Sequence, residues 1–379
     1  MAEKADLDGM ARVKVIGVGG GGCNAVGRMV KDQMPGVDYL CVNTDAQALM
    51  RSEAQVRIRV GDNITRGLGV GGDPEKGRQA AEESREELEE ALRGADMVFI
   101  AAGMGGGTGT GAAPVIAELA GNQGALTVGI VTRPFLWEGS HRKRRAEEGI
   151  DRMRAKVDTL LVIPNDALVS VCDRKVTVTN AFKLADEVLR RSIQAIAEIV
   201  TIPGDINVDF ADVRTVMSSA GSAMIGIGYG QGDNRATDAA RAAITNPLLD
   251  VSVEGAKGVL FVVTGGNDLT LNELNAAADI IQKAVDPNAN IFFGMTTDTR
   301  LENEVKITLI ATGFPNQEST AFANAETVSK LLQEAPRKLS GPLVSANAEA
   351  ELDIPPFLRR VASPVPMSEE QRRKLPIGF

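Results

Sequence analysis

The sequence predicts an α/β protein with a doubly wound, mostly parallel sheet, a long central helix, a smaller α+β C-terminal domain and a disordered tail. Three observations support this fold class. Apolar strand-like segments alternate with helical segments from Arg12 onward. One helical segment is unusually long, and the composition becomes polar and irregular after Phe314.

Five near-continuously apolar segments predict the buried strands of the parallel sheet. Parallel strands are covered on both faces, so they lack the alternation of a half-exposed strand. The segments between them carry helical periodicity, which is typical of crossover helices. The five predicted strands are VKVIGVGG, VDYLCVNTD, ADMVFIAAG, LTVGIVTRPF and VDTLLVIPN.

The segment from Thr179 to Val200 predicts one long helix, because its apolar residues are spaced to bury one face. Pro203 and Gly204 end it. A second α+β unit starts at about Ala220. Its predicted elements are a helix at TDAARAAITNP, a strand at KGVLFVVTGG, a helix at LNELNAAADIIQKAV, and strands at NIFFGMTTD and EVKITLIATGF.

The C-terminal region has the composition of a disordered linker over residues 317–349. The apolar island ELDIPPFLRR follows it, and we interpret this island as a docking peptide for a partner protein; the alternative is that it folds back on its own domain. We therefore divide the chain into a flexible N-terminal segment (1–10), the α/β domain (11–178), the central helix (179–202), the C-terminal α+β domain (203–316), the linker (317–349), the peptide (350–360) and a tail extension (361–379).

Composition excludes several classes of function. The formal net charge of −9 argues against a nucleic-acid partner and against direct binding to anionic membranes. The basic run HRKRR (141–145) lies in a helical segment and is interpreted as a solvated face. Three cysteines without CxxC spacing and a single histidine, His141, disfavour a zinc site, a disulfide framework or a Ser-His-Asp triad. No signal peptide or membrane-spanning run is found, so we expect a cytoplasmic protein.

The richest motif is the loop at residues 103–111, which has six glycines in nine residues. It lies between a predicted strand and a predicted helix. Backbone N–H groups at a helix N-terminus favour an anion, and glycine lets a phosphate approach them closely. The loop predicts phosphate binding, with Thr108 and Thr110 as further donors; a tight turn without a ligand is the alternative.

A second glycine loop follows the first strand, where Gly17, Gly19 and Gly22 fit the dinucleotide pattern G-x-G-x-x-G. Asp45 lies near the position expected for a ribose-binding acid, so a nicotinamide-dependent oxidoreductase is an alternative. A dehydrogenase uses one pyrophosphate loop, so two glycine loops fit better with a nucleotide that has more phosphates. The sequence lacks G-x-x-x-x-G-K-[ST], which excludes a P-loop NTPase.

The segment NVDFADVRTV (207–216) contains a carboxylate pair, Asp209 and Asp212, three residues apart. On a helical turn both would project to the same side. The spacing alone favours a local role, with Asp209 as the N-cap and Asp212 in the first turn. In a chain with one histidine, this pair remains a candidate for positioning an attacking water.

Together these segments resemble the FtsZ family, the bacterial homologues of tubulin. GGGTGTG at residues 105–111 matches the tubulin-superfamily signature, NVDFADV resembles the family's synergy loop, and LDIPPFLRR resembles its C-terminal partner-binding peptide. The resemblance covers residues 11–316 and the terminal peptide. It implies that the 11–178 domain binds GTP or GDP, with Mg²⁺ arriving on the phosphates and no metal ligand from the protein.

The resemblance also implies roles for individual residues. The phosphate and ribose contacts would come from Gly20, Gly21, Gly22, Asn24, Gly71, Gly72, Gly107, Thr108, Gly109, Glu138 and Arg142. Guanine would be recognised by Asn165, Phe182 and Asp186. Membrane tethers and regulators would bind Leu352, Asp353, Ile354, Pro355, Phe357, Leu358 and Arg359.

The mechanism that the resemblance implies is divided between two molecules. Asp209 and Asp212 of one subunit, assisted by Asn207, would act on the GTP of the next, in a head-to-tail polymer that forms the cytokinetic ring in bacterial cell division. Membrane association would depend on partners. A filament protein that binds GTP without hydrolysing it is the remaining alternative.

Overall fold

The computed structural model of the protein describes residues 11–32, 34–171, 176–245 and 253–314. These residues contain one ten-stranded sheet with the strand order β3-β2-β1-β4-β5-β6-β7-β10-β8-β9. The strands are β1 (Val13–Val18), β2 (Val37–Asn43), β3 (Val56–Arg59), β4 (Met97–Gly103), β5 (Leu126–Arg133), β6 (Thr159–Pro164), β7 (Gly221–Gln231), β8 (Gly258–Gly265), β9 (Asn290–Thr297) and β10 (Glu304–Thr312).

Helices connect the strands throughout the described part of the chain, and a short 3₁₀ helix lies at Leu136–Glu138. The α-helices are α1 (Gly19–Asp32), α2 (Ala46–Met50), α3 (Asp62–Thr65), α4 (Pro74–Glu83), α5 (Arg85–Leu92), α6 (Thr108–Asn122), α7 (Ser140–Arg154), α8 (Asn165–Val171), α9 (Val178–Thr201), α10 (Phe210–Met217), α11 (Arg235–Ile244) and α12 (Leu271–Ala284).

The predicted fold class is confirmed. Strands β1 to β6 are all parallel, and apolar cores cover both faces of this half of the sheet. Helices α1, α9 and α10 contribute to the core on one face, for example with Met29 and Ile193. Helices α4, α5, α6 and α7 contribute to the core on the other face, for example with Ile116 and Met153. Both faces of β1 are therefore buried, which explains its continuous apolar sequence.

The C-terminal α+β part joins the same sheet through β7. Only two residue pairs, Thr159↔Gly221 and Leu160↔Ser222, connect β7 to β6. Strand β10 then pairs antiparallel with both β7 and β8, and β9 runs parallel to β8. This part has its own core between the sheet and helices α11 and α12.

Strand β7 was not among the predicted strands, and its glycines explain why. Glycine is unfavourable in strands, so the sequence of β7 does not predict one. In the fold, however, a Cβ atom at Gly226, Gly228 or Gly230 would lie 1.9 Å from a carbonyl oxygen of α11. The glycine row therefore lets α11 pack directly on the sheet. The edge strand β3 was also missed, because three of its four residues are exposed and two are arginines.

The central helix α9 spans Val178–Thr201, one residue beyond the predicted segment at each end. The linker, the docking peptide and the tail extension lie outside the described residues, as do residues 1–10. Among the residues that the structure describes, no helix combines the length and apolarity needed to cross a membrane.

We predict that Gly111→Ala destabilises the protein by about 1–3 kcal/mol, because overpacking strains a tight interface. Gly111 lies inside α6, and a Cβ there would lie 1.9 Å from the carbonyl oxygen of Pro74. Urea unfolding measures the free energy.

Gly121 in the same helix is the matched control, since a Cβ there meets nothing within 4 Å. Gly121→Ala should stabilise the protein by roughly 0.5–1 kcal/mol. An equal effect of the two substitutions would contradict the packing of α4 on α6.

Candidate functional site

Two helix N-termini meet at the carboxyl edge of the parallel strands. Helix α1 begins directly after β1, and α6 begins five residues after β4. β1 and β4 are neighbours, with β2 on the other side of β1, so the strand order changes direction here. In open α/β sheets this switch point is where ligands bind. The unpaired N–H groups of both helices favour an anion there.

The glycines that follow β1 differ in what they do. A Cβ at Gly22 would lie 2.1 Å from the carbonyl oxygen of Ala101, so Gly22 lets α1 pack against β4. Gly20 has open space around it, and Gly21 has only ordinary contacts with Gly103. Asn24 is exposed in the second turn of α1. Among the predicted phosphate-loop glycines, Gly20 and Gly21 are thus accessible to a ligand, whereas Gly22 supports the loop.

The glycine loop between β4 and α6 is held by hydrogen bonds that involve two threonine hydroxyls. Thr110 Oγ1 accepts from the Gly105 N–H at 2.9 Å, so this hydroxyl supports the loop from within the buried interior. Thr108 Oγ1 lies 2.7 Å from Thr44 Oγ1, which follows β2. Gly105 has a φ of 96°, a backbone conformation that favours glycine. Gly106 faces open space at its apex.

At Gly107 and Gly109 the absence of a side chain permits close packing. A Cβ at Gly109 would lie 2.8 Å from the carbonyl oxygen of Gly103. A Cβ at Gly107 would lie 2.3 Å from Val70 Cγ2 and 2.9 Å from the Asp73 N–H nitrogen. The turn at residues 70–73 therefore lies directly against the start of α6.

This third loop carries the predicted Gly71 and Gly72, both with positive φ. Gly71 meets nothing within 4 Å. Together the three loops bring eight of the predicted residues, Gly20, Gly21, Gly22, Gly71, Gly72, Gly107, Thr108 and Gly109, to one edge of the sheet.

The predicted pair Glu138 and Arg142 forms an ion pair at 3.0 Å. The Glu138 side chain is only 6% exposed, and its second carboxylate oxygen accepts from the Phe135 N–H at 2.8 Å. Arg142 is half-exposed and packs against Gly105. In this geometry Glu138 orients Arg142 toward the glycine-rich loop.

Asn165 lies at the carboxyl end of β6, only 5% exposed, and its Oδ1 atom is buried without a hydrogen-bond partner. An unpaired buried acceptor is costly, so it marks a position where a ligand donor fits. Phe182 contacts Phe135 and Trp137, with ring centroids 5.6 and 5.9 Å away. The site therefore has an aromatic side, and of these three residues only Phe182 was predicted.

Asp186 is the most perturbed carboxylate near the site. Burial raises its pKa to about 6, and the opposing Arg28 guanidinium, 3.2 Å away, limits the rise. Arg28 also donates to the carbonyl oxygen of Lys183 at 3.1 Å. Arg28 was not among the predicted site residues, although it follows Asn24 at the i,i+4 spacing of one helix face.

The carboxylate pair lies at the opposite edge of the sheet. Asp209 is the N-cap residue of α10 but its side chain makes no capping bond, and Asp212 is in the first turn. Neither carboxylate has a hydrogen bond or ion pair with the described residues. Asn207 Oδ1 accepts from the Gly204 N–H at 2.6 Å and so stabilises the preceding turn.

Contacts of Arg214, in the second turn of α10, and of Ser219, just after the helix, support this location. Arg214 donates to the carbonyl oxygen of Gly124, which precedes β5, and Ser219 N–H donates to Asp158, which precedes β6. These are the amino ends of the strands. Strand β5 has eight residues, so it separates the two edges by roughly 26 Å.

The oxidoreductase alternative required Asp45 to reach a ribose. Instead, Asp45 Oδ1 accepts from the N–H groups of Gln47 and Ala48, at 2.9 and 3.1 Å, and caps α2. This alternative is therefore disfavoured. The described residues contain no cluster of three or more His, Cys, Asp or Glu side chains that could hold a metal ion.

Comparisons with known proteins give a consistent result. The model of the Tubulin/FtsZ family GTPase domain matches residues 12–173, and that of the FtsZ family C-terminal domain matches residues 221–315. An empty FtsZ dimer from M. jannaschii is 46% identical, covers 81% of this chain and 89% of its own, and has a TM-score of 0.76. The GTPγS-bound protofilament of CetZ2 from Haloferax volcanii is 22% identical, with coverages of 85% and 99% and a TM-score of 0.70, and is thus similar in fold.

We predict that Asp186→Asn stabilises the ligand-free protein at pH 8 by about 1–2 kcal/mol, allowing for the lost Arg28 ion pair. Because the folded-state pKa of about 6 exceeds the unfolded value of about 4, the favourable contribution of Asp186 is present below pH 4 and is lost as the pH rises through 6. Urea unfolding at both pH values measures the difference.

At pH 4 the variant and the wild type should be nearly equal. Asp151→Asn is the control, since Asp151 is an exposed carboxylate paired with Arg154. A variant that is less stable than the wild type at pH 8 would contradict the burial of an ionised Asp186.

Proposed function

Because the chain belongs to the FtsZ family of tubulin-like GTPases, we propose that it is a GTP-dependent cytoskeletal protein whose hydrolytic site is completed by a second copy. GTP hydrolysis to GDP and phosphate follows from the family itself. The head-to-tail assembly and the residue roles are the proposal. The observation that carries it is the separation of the glycine loops from Asp209 and Asp212 by the full length of the strands.

Several features of the carboxyl edge fit a guanine nucleotide. The unpaired Oδ1 of Asn165 can accept from the base, and the Asp186 carboxylate can accept from the guanine N1 and N2 donors. Phe182 can stack on the ring. On the phosphate side, the accessible Gly20, Gly21, Gly71 and Gly106 leave room at two helix N-termini.

The remaining roles follow the family resemblance. Asn24, Glu138 and Arg142 would contact ribose and phosphates, with Gly22, Gly72, Gly107, Thr108 and Gly109 forming the loops. Mg²⁺ bound to the phosphates would neutralise their charge during hydrolysis.

The catalytic carboxylates of one molecule cannot serve its own nucleotide at this separation. Hydrolysis needs a positioned water within hydrogen-bond distance of its activating group. We therefore assign Asp209 and Asp212 to the nucleotide of the neighbouring subunit, with Asn207 holding the turn that carries them. Their lack of partners within the described part of the chain supports this, since both are available to another molecule.

A contact between opposite edges of the same sheet is heterologous and does not need to close, so it generates a filament. The similar FtsZ is a dimer and the similar CetZ2 a protofilament in their structures. Assembly would complete the site, and hydrolysis would weaken the contact. We propose that such filaments form the cytokinetic ring in bacterial cell division, in the cytoplasm at the inner face of the membrane.

Membrane attachment would depend on tethering and regulatory proteins that recognise residues 352–360, within the predicted docking peptide. A filament protein that binds GTP without hydrolysing it is disfavoured by the family, and the next experiment separates it from the proposal.

We predict that adding the Asp212→Asn variant to wild-type protein below its assembly concentration activates GTP hydrolysis. Wild-type protein alone, below its assembly concentration, should release little phosphate, and the variant alone should release little at any concentration. Together they form filaments in which wild-type carboxylates contact neighbouring GTP, so the rate should exceed the sum of the separate rates by at least about tenfold. Phosphate release and light scattering are recorded together.

A rate equal to that sum, despite scattering, would mean that each chain carries a complete site. Asp238→Asn is the control, because Asp238 is also an exposed carboxylate in the first turn of a helix. This control should hydrolyse GTP like the wild type.

We also predict that GDP and GTP change the tryptophan fluorescence of the protein and that NAD⁺ does not. Trp137 is the only tryptophan, is 60% exposed and contacts Phe182. A base stacked on Phe182 would alter the surroundings of the indole. A response to NAD⁺ with none to GDP would favour the oxidoreductase.

A further inference from the structure

Helix α7 presents two arginines to the glycine loops. Arg142 and Arg145 are three residues apart, so they lie on the same side of the helix. On that side, a Cβ at Gly149 would lie 2.4 Å from Thr110 Cγ2, which places α7 against the first turn of α6. Both arginines therefore lie near the carboxyl edge of the sheet.

The two arginines contact different loops. A Cβ at Gly105 would lie 2.7 Å from Arg142 Cγ, and a Cβ at Gly72 would lie 3.5 Å from Arg145 Nη1. Arg142 is paired with Glu138. Arg145 makes no hydrogen bond or ion pair with any residue that the structure describes.

The carboxylates nearest to Gly72 in sequence are engaged elsewhere. Asp73 accepts from the first N–H groups of α4, and Glu75 pairs with Arg78 at 2.6 Å. The turn at 70–73 lies against the N-terminus of α6, whose dipole disfavours a cation. An unpaired guanidinium at this position is therefore suited to an anion that binds beside it.

The positions of the helices on the two faces of the sheet indicate how a bound nucleotide would be oriented. Asp186 and Phe182 lie on α9, which packs with α1 on one face. Helices α4, α6 and α7, which surround the 70–73 turn, pack on the other face. If the base lies on the α9 face, the phosphates extend across the carboxyl edge toward the face of α4, α6 and α7. The last phosphate then lies nearest to Gly72.

We propose that Arg145 contacts the third phosphate of GTP and so lets the protein distinguish GTP from GDP. This inference rests on the proposed nucleotide site and adds a residue that neither the glycine motifs nor the family resemblance supplied. Arginine suits the role because its planar, permanently charged group binds phosphate oxygens with two N–H donors.

The test is a competition between GDP and GTPγS, a slowly hydrolysed nucleotide with a third phosphate, for the full-length protein below its assembly concentration. After rapid desalting and denaturation, chromatography gives the ratio of the two bound nucleotides. Arg145→Ala should shift this ratio toward GDP by roughly 5- to 20-fold, the size expected for an exposed charge-assisted contact.

Arg145→Lys should give a shift between those of the wild type and Arg145→Ala, since the charge is kept but the paired N–H donors are lost. The matched control is Arg144→Ala, because Arg144 is exposed on the same helix and faces Glu148 at 3.9 Å; its ratio should not change.

An unchanged ratio in Arg145→Ala, or an equal loss of both nucleotides, would overturn the role of Arg145 while leaving the GTP site intact. If wild-type protein bound neither nucleotide, the proposed site and this inference would both fail.

Discussion

The polarity of the parallel sheet is the constraint on which the site depends. Every strand from β1 to β6 delivers its following loop to the same edge, which brings the glycine loops, Asn165 and the start of α9 together. The same polarity sends α9 back to the other edge, where α10 begins. With 24 residues, α9 is about 36 Å long. One fold thus holds the glycine loops and the carboxylate pair at opposite edges of the sheet, where they cannot meet within one molecule.

Glycine has two separate uses in this architecture. At Gly22 and Gly109 a side chain would collide with strand backbone, so these glycines set how closely α1 and α6 approach the sheet. At Gly107 it would collide with Val70 and Asp73, so this glycine sets how closely the 70–73 turn approaches α6. At Gly20, Gly71 and Gly106 the space is open. The close packing of the first set brings the N-termini of α1 and α6 to the same point, and the openness of the second set leaves room for phosphates between them.

The parallel sheet, the long helix and most glycines of the carboxyl-edge loops could be predicted from the sequence, because these depend on local patterns. Strand β7 could not, because its glycines are explained only by the packing of α11 against them. The pairing of Arg28 with Asp186 could not be predicted either, since 158 residues separate the two. The elevated pKa of Asp186 and the unpaired Asn165 Oδ1 likewise arise from burial, which is a property of the assembled fold.

The most direct test of a site shared between molecules is phosphate release from GTP as a function of wild-type protein concentration, with light scattering recorded in the same cuvette. The separation of Asp212 from the glycine loops predicts a rate per subunit near zero below a threshold concentration, rising in parallel with scattering above it. A constant rate per subunit at every concentration would contradict the account, because each chain would then hydrolyse GTP alone.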